Sequence, residues 1–427
     1  MVHSAYRSAL VVSTSAALLL AGCRSKSSAP SGVGTKPLPS APPVAVSARP
    51  AGTPSAPTSS VAPGSSASSH AELAAPPLET GEVFVGRAQH VAVGRVGVVA
   101  VQRGDELVVS PMRSGVVQPF ADPGTELATV PLALVDGEAS AVYWISRGRL
   151  VRRKIAADGT AQQLEVLASD AADGTRLSAG RPQRRADDDV VMYIGREVSK
   201  ELERAPRLWV EKHGSQRVST EAGGATSVTV VGLGGNRFAL LTLDGRVAMS
   251  PVHAISLELD ADGAPHLGED RVVYVAGPAE RRTAITGVRV GPGPVALLPI
   301  SKDDTHFGLL SLLVGDGDAE APSSWVDYPN GLDPAPATAL VLCGEPRVLF
   351  ARPENASPRA QRVLDMGRIG ADGKVTDTRT LAKAGAIREI SAWASASGAK
   401  DSADKSPAGW AVLVTDVGVI ARPLTCD

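Results

Sequence analysis

Five histidines lie beyond residue 80: His90, His213, His253, His266 and His306. They are widely spread and show neither a His-Glu-x-x-His pattern nor any other pairing that would bring two imidazoles to one metal. Each therefore reads as an ordinary loop or strand residue. There is no Gly-x-Ser-x-Gly elbow for a nucleophilic serine, and no Gly-x-x-x-x-Gly-Lys loop to cradle phosphates. Gly232-Leu233-Gly234-Gly235 comes nearest to a dinucleotide loop, but Arg237 stands where the last glycine is needed. Asp303-Asp304, and Asp316 with Asp318, are carboxylate pairs of the kind common on loops. A glycosidase pair needs a defined separation in space, which spacing along the chain does not supply. One segment places oxygen ligands at alternate positions: Glu258, Asp260 and Asp262, then Gly263, with Glu269 six residues on. That matches a twelve-residue calcium loop apart from Glu at its first position. Pro265 and His266 fall where an apolar residue and an oxygen ligand are usual, so a plain hairpin turn is the preferred reading. The sequence assigns no catalytic residue, no metal site and no cofactor.

Charge narrows the partners. The net charge is −2 with both signs scattered, whereas nucleic-acid binding needs a basic face that neutralises several phosphates. The densest basic cluster, Arg181 to Arg185, runs straight into Asp187, Asp188 and Asp189, and reads as a solvated loop. Nucleic acid is excluded as a partner.

The first 23 residues are an address. A short region carries Arg7, an apolar stretch runs from Ala9 to Leu20, and Leu20-Ala21-Gly22 precedes Cys23. About a dozen apolar residues are too few for a permanent span of a ~30 Å hydrocarbon core, and the pattern is that of an export signal. These residues resemble the lipobox of bacterial lipoproteins: Leu, a small residue, Gly or Ala, then Cys. The resemblance implies cleavage after Gly22 and lipidation of Cys23, so that the membrane becomes a partner through a lipid anchor. Several acyl chains give stable anchoring where one gives only marginal binding. Arg24 stands where an Asp would imply inner-membrane retention, so the resemblance implies the outer membrane, facing the periplasm or the cell surface. The alternative is an ordinary signal peptide with Cys23 incidental.

Between Arg24 and about Leu78 the chain is almost wholly Ser, Ala, Pro, Gly, Thr and Val. Such a segment lacks large side chains to offset the entropy of ordering, and a disordered spacer is expected. As a coil it spans roughly 40 Å on average. The expected organisation is a signal peptide over 1–22, lipidated Cys and spacer over 23–80, and one folded domain over 81–427.

That domain reads as all-β. Short apolar runs at 96–101, 107–110, 141–146, 190–194, 228–233, 238–243, 272–275, 309–314, 338–342, 348–350 and 410–414 are strand candidates. They are separated by Asp-Gly and Arg-Gly turns, a strong hairpin signal. Only 195–204 and 382–394 suggest helix, too little for a parallel βαβ plan. A weak repeat sharpens the choice. Ile155-Ala156-Ala157-Asp158-Gly159, Leu259-Asp260-Ala261-Asp262-Gly263 and Ile369-Gly370-Ala371-Asp372-Gly373 begin 104 and 110 residues apart, which is two units of about 50–55 residues each. Dividing residues 81–427 by that period gives a β-propeller of about seven blades. Two packed β-sandwich domains are the alternative.

With Cys23 lipidated, Cys343 and Cys426 remain in an oxidising compartment, where two leftover thiols usually pair. A disulfide between them is expected, with two separated free thiols as the alternative. A membrane-tethered, non-catalytic module that binds protein or glycan follows from address, spacer and lack of catalytic motifs. A periplasmic propeller enzyme (a hydrolase or quinoprotein-like dehydrogenase) and an envelope-assembly factor are the rivals. Acids converging on the inner strands would favour the enzyme.

Overall fold

The structure, a computed structural model, describes residues 81–426 apart from short segments, chiefly 111–117, 120–131, 197–203, 246–250, 316–320, 329–335, 356–360 and 396–406. The signal segment, Cys23 and the spacer lie outside the described residues. So do the turns at Gly104-Asp105 and Asp158-Gly159.

No helix occurs among the described residues, and the strands form antiparallel sheets. In chain order, β1 is Gly81–Val85. Blade 1 comprises β2 (Ala88–Gly94), β3 (Gly97–Gln102), β4 (Glu106–Ser110) and β5 (Gln118–Pro119). Blade 2 comprises β6 (Ala133–Val135), β7 (Ser140–Ser146), β8 (Arg149–Ile155) and β9 (Ala161–Ala168). Blade 3 is β10 (Ser178–Gly180), β11 (Val190–Arg196), β12 (Arg204–Val210) and β13 (Gly214–Arg217). Blade 4 is β14 (Ala225–Gly234), β15 (Arg237–Asp244), β16 (Pro251–Leu259) and β17 (Pro265–Val275). Blade 5 holds β18 (Arg281–Arg282), β19 (Thr286–Val290), β20 (Gly293–Ser301), β21 (Phe307–Leu313) and β22 (Ser323–Tyr328). Blade 6 holds β23 (Ala337–Leu342), β24 (Glu345–Pro353), β25 (Arg362–Ile369) and β26 (Val375–Ala384). Blade 7 holds β27 (Ile387–Ala394), β28 (Gly409–Thr415) and β29 (Gly418–Leu424), with β1 as its outer strand.

The first strands touch in sequence, β2 to β6, β10, β14, β19, β23, β27 and back to β2, which makes one propeller-like ring and not two sandwiches. Six sheets have four strands each. The remaining sheet, blade 5, has five strands, because β18 and β19 both pair with β20.

Burial explains the sequence pattern. The strands β7, β11, β15, β20, β24 and β28 are covered on both faces, so they read as near-continuous apolar runs without alternation. Val190, Val191, Met192, Tyr193 and Ile194 are all fully buried. The core is divided among the seams between blades. Met192 and Ile194 pack with Val228 and Phe238 across blades 3 and 4, and Leu349 and Leu364 pack with Ile387 and Leu413 across blades 6 and 7.

One sequence expectation fails. Residues 382–394 hold the end of β26 and all of β27, split by a turn at Gly385 and Ala386. Pairing of β27 with β28 overrides the helix propensity of its Ala, Arg and Glu. The other helical candidate, 195–204, begins with the last residues of β11 and ends with the first of β12, and the stretch between lies outside the described residues.

The turn chemistry has two forms. Arg147-Gly148 and Cys343-Gly344 have positive φ at both residues (50° and 76°, 54° and 79°), as two-residue primed turns require. The repeated Ala-Asp-Gly turns differ. At Gly370 to Lys374, Gly370 N–H donates to Lys374 O (2.8 Å) and Gly373 N–H donates to Gly370 O (2.9 Å). With Gly373 at φ 78° this is a three-residue loop ending in a left-handed glycine. Asp260 to Ala264 repeats both bonds, with Gly263 at φ 90°. All three copies of the repeat join the third and fourth strands of their blade, in blades 2, 4 and 6.

Candidate functional site

The innermost strand of a blade is a sheet edge, and each edge N–H left unpaired in a buried place carries a cost. Side chains of the neighbouring blade meet this need. Ser178 Oγ on β10 accepts from Val230 N on β14 (3.0 Å), and Ser227 Oγ accepts from Ile285 N ahead of β19 (3.1 Å). Asp136, just after β6, accepts from Arg95 N (2.9 Å) and from Ser140 Oγ (2.7 Å). Ser391 Oγ on β27 accepts from Val93 N on β2 (3.1 Å). Two residues earlier, Glu389 Oε1 accepts from Val91 N (3.2 Å), while Glu389 Oε2 meets His90 Nδ1 at 2.8 Å. Glu389 is the one acid within the first strands, which otherwise carry mostly Ala, Val, Ser, Thr and Gly. Both of its oxygens are engaged in joining blade 7 to blade 1.

The seam of blades 2 and 3 holds a different constellation. Arg152 on β8 is 3% exposed and binds Glu165 on β9 and Glu211 after β12, with its guanidinium 5.3 Å from the Trp209 ring centre. Burial alone would lower the Arg152 pKa, but the bonds to Glu211, Glu165 and Tyr143 outweigh it and hold the cation firmly charged. Tyr143 on β7 donates to Asp189, whose other oxygen takes Arg181 Nε at 2.5 Å. Burial, then the Asp189 charge, push the Tyr143 hydroxyl upward, so it is a donor and not a proton source at neutral pH. Asp188 binds Lys212 at 3.2 Å. The solvated-loop reading of this charge run is therefore corrected for Arg181, Asp188 and Asp189, because both aspartates are at least 97% buried and paired.

Two more buried polar groups sit on third strands. His253 on β16 meets Asp270 on β17 at 2.8 Å, and Asp365 on β25 accepts from Arg352 and from Thr380 Oγ1 (2.7 Å). The remaining histidines are peripheral: His266 meets Asp260 at 3.3 Å, His213 meets Asp262 O at 3.5 Å, and His306 lies exposed before β21.

The sequence-level candidates fall as follows. Cys343 and Cys426 form a disulfide with Cα atoms 5.6 Å apart, joining the β23–β24 turn of blade 6 to the chain after β29. The calcium-like segment is a tight hairpin in which Leu259 pairs with Pro265 and Glu258 with His266. Asp260 Oδ1 is taken by Asp262 N (2.8 Å) and Ala264 N (2.9 Å), and those bonds from Ala264, then Asp262, hold its pKa low. No group of three or more metal-ligating side chains occurs among the described residues. Sequence reading missed Arg152, Asp189, Asp365 and Glu389. In one dimension a buried charge between apolar neighbours looks like the solvent side of an alternating strand.

No family model matches this chain, and no curated relative matches it by sequence. Similar solved structures include AofleA from Arthrobotrys oligospora, at 11% identity and TM-score 0.44, covering 70% of this chain and 88% of that one. An α-L-arabinofuranosidase from Fusarium graminearum gives 8% and 0.43, covering 69% and 92%. A fucose-specific lectin from Aleuria aurantia gives 10% and 0.37, covering 69% and 96%. At these values none transfers a function to this chain.

Proposed function

We propose that this chain is an exported lipoprotein, anchored through Cys23, whose ring serves as a rigid binding or scaffold module for a protein or glycan partner. The observation that carries the non-catalytic part is the use made of Glu389. The acid borne by the inner strands is bound to Val91 N and His90, so both of its oxygens are used in holding the ring together. The serines Ser178, Ser227 and Ser391 are engaged in the same way. Export is supported by the Cys343–Cys426 bond, since disulfides persist in oxidising compartments. The Leu20-Ala21-Gly22-Cys23 resemblance supports the anchor, and Arg24 supports the outer membrane.

The experiment is affinity capture of the full chain from detergent-solubilised membranes, with the captured species then titrated against purified protein. Saturable binding of one protein or glycan, with that ligand recovered unaltered, is expected. Turnover of the captured species, or no enrichment over a membrane preparation lacking the chain, would overturn the reading.

A further inference from the structure

We infer that the first turn of blade 4, clasped by Arg289 from blade 5 and Gln183 from blade 3, is a binding site for a carboxylate-bearing sugar. This site rests on the binding-module reading above and narrows its partner to an acidic glycan. Gly287 brings β19 against β14: a Cβ there would stand 2.7 Å from Val231 Cγ2 and 3.2 Å from Leu241 Cδ1. Arg289 lies two residues on, on the same face of β19, and so reaches the end of β14. Its Nη1 occupies the space over Gly234, 2.5 Å from where a Cβ would be, and its Nε donates to Gly291 O (2.9 Å). From the other side, Gln183 N–H donates to Gly235 O (3.1 Å), and Gln183 Oε1 accepts from Gly235 N (3.4 Å). That oxygen is 3.7 Å from the same Gly234 Cβ position. Gly234 and Gly235 have φ of 99° and 64°, a conformation that side chains disfavour. Three blades thus converge on a turn of bare backbone.

Arg289 and Gln183 are both exposed. The backbone holds Arg289 Nε and Gln183 Oε1, which fixes the planes of both groups and leaves Arg289 Nη1 and Nη2 and Gln183 Nε2 to serve as donors. Among the described residues no carboxylate pairs with Arg289. A guanidinium edge with two donors fits a planar carboxylate bidentately. One cation beside a neutral amide suits a single negative charge better than a phosphate dianion. A Cβ at Gly232 or Gly235 would meet nothing within 4 Å, so the backbone is open to a flat, hydroxyl-rich ring. A protein partner would call for a buried aromatic or apolar anchor, and the glycines of this turn offer none. The glycines that resembled a dinucleotide loop serve close approach of this kind.

Isothermal titration of the intact chain with glucuronate- and galacturonate-terminated disaccharides, at fixed low salt, tests this. Saturable binding of at least one is expected, weakened at least about tenfold when its carboxylate is methyl-esterified. The ester comparison needs no variant. Arg289→Gln should give a similar loss, and Arg289→Lys, which keeps the charge but not the fork, should fall between. Equal affinity for the ester, equal affinity for acetate alone, or preference for a peptide with a free C-terminal carboxylate would overturn the site. So would no binding of either disaccharide. If membrane capture of the chain still saturates in that event, the binding-module reading stands and only the site is lost.

Discussion

Blades 2, 4 and 6 differ from blades 3 and 5 in how their outer edge is built. Their fourth strands are long, with 8, 11 and 10 residues in β9, β17 and β26, against 4 and 6 in β13 and β22. Each of the three long ladders has two register breaks, whereas β12–β13 and β21–β22 have none. Each also buries a polar or charged group on the third strand and answers it with a side chain of the fourth (Arg152 with Glu165, His253 with Asp270, Asp365 with Thr380), whereas the buried Ser311 of blade 5 is answered by backbone, Ser324 O and Gly373 O. A bulge twists a strand and re-aims a side chain. In these blades it lets a polar residue turn inward where a partner on the outer strand can satisfy it. Blade 3 instead covers the matching region of β12 with Leu208, Trp209 and Val210, and needs no such partner. The period of two blades is what the Ala-Asp-Gly repeat recorded.

The strongest way to break this comparison is at Arg152. Arg152→Met leaves Glu165 and Glu211 facing each other beside apolar surface, and should cost about 3–5 kcal/mol in denaturant unfolding. Adding Glu165→Gln and Glu211→Gln should recover a large part of that loss. A single substitution within about 0.5 kcal/mol of the parent would show that the pair is solvated, and that the two kinds of blade do not differ in this respect.

A smaller effect separates the repeated turns from one another. Gly263→Ala and Gly373→Ala both force a side chain into positive φ, costing about 1–2 kcal/mol. Gly373→Ala should cost more, because its Cβ would come within 3.0 Å of Leu313 Cβ in blade 5. Equal costs from thermal melts would mean that the blade 6 turn does not dock on its neighbour.

The smallest effect concerns pH. Asp260 and Asp372 are held below the usual aspartate range, Asp260 chiefly by Ala264 N–H and Asp372 chiefly by Lys374 N–H. A depressed folded-state value adds stability that is complete above the unfolded value of about 3.9 and disappears as pH falls through the folded one. Asp260→Asn with Asp372→Asn should therefore flatten the stability profile below about pH 4 and leave it unchanged at pH 7.

Much of this plan was legible in one dimension. Apolar runs such as 190–194 and 410–414 marked the doubly covered strands, because burial on both faces leaves no alternation to confuse with a surface strand. The spacing of Asp158, Asp262 and Asp372 marked every second blade. What stayed hidden depends on partners distant in sequence. Glu389 meets residues 298 and 299 positions away, and Arg152 meets Glu211 across a seam. Residues 382–394 were misread because Ala, Lys and Arg favour helix locally, while the ladder to β28 that decides the matter lies beyond any local window.

The tether to a membrane is the central claim, and phase partitioning of the wild-type chain against Cys23→Ser tests it most directly. Wild-type protein is expected in the detergent phase and the variant in the aqueous phase, with the ring equally folded in both. Identical partitioning of the two would contradict it.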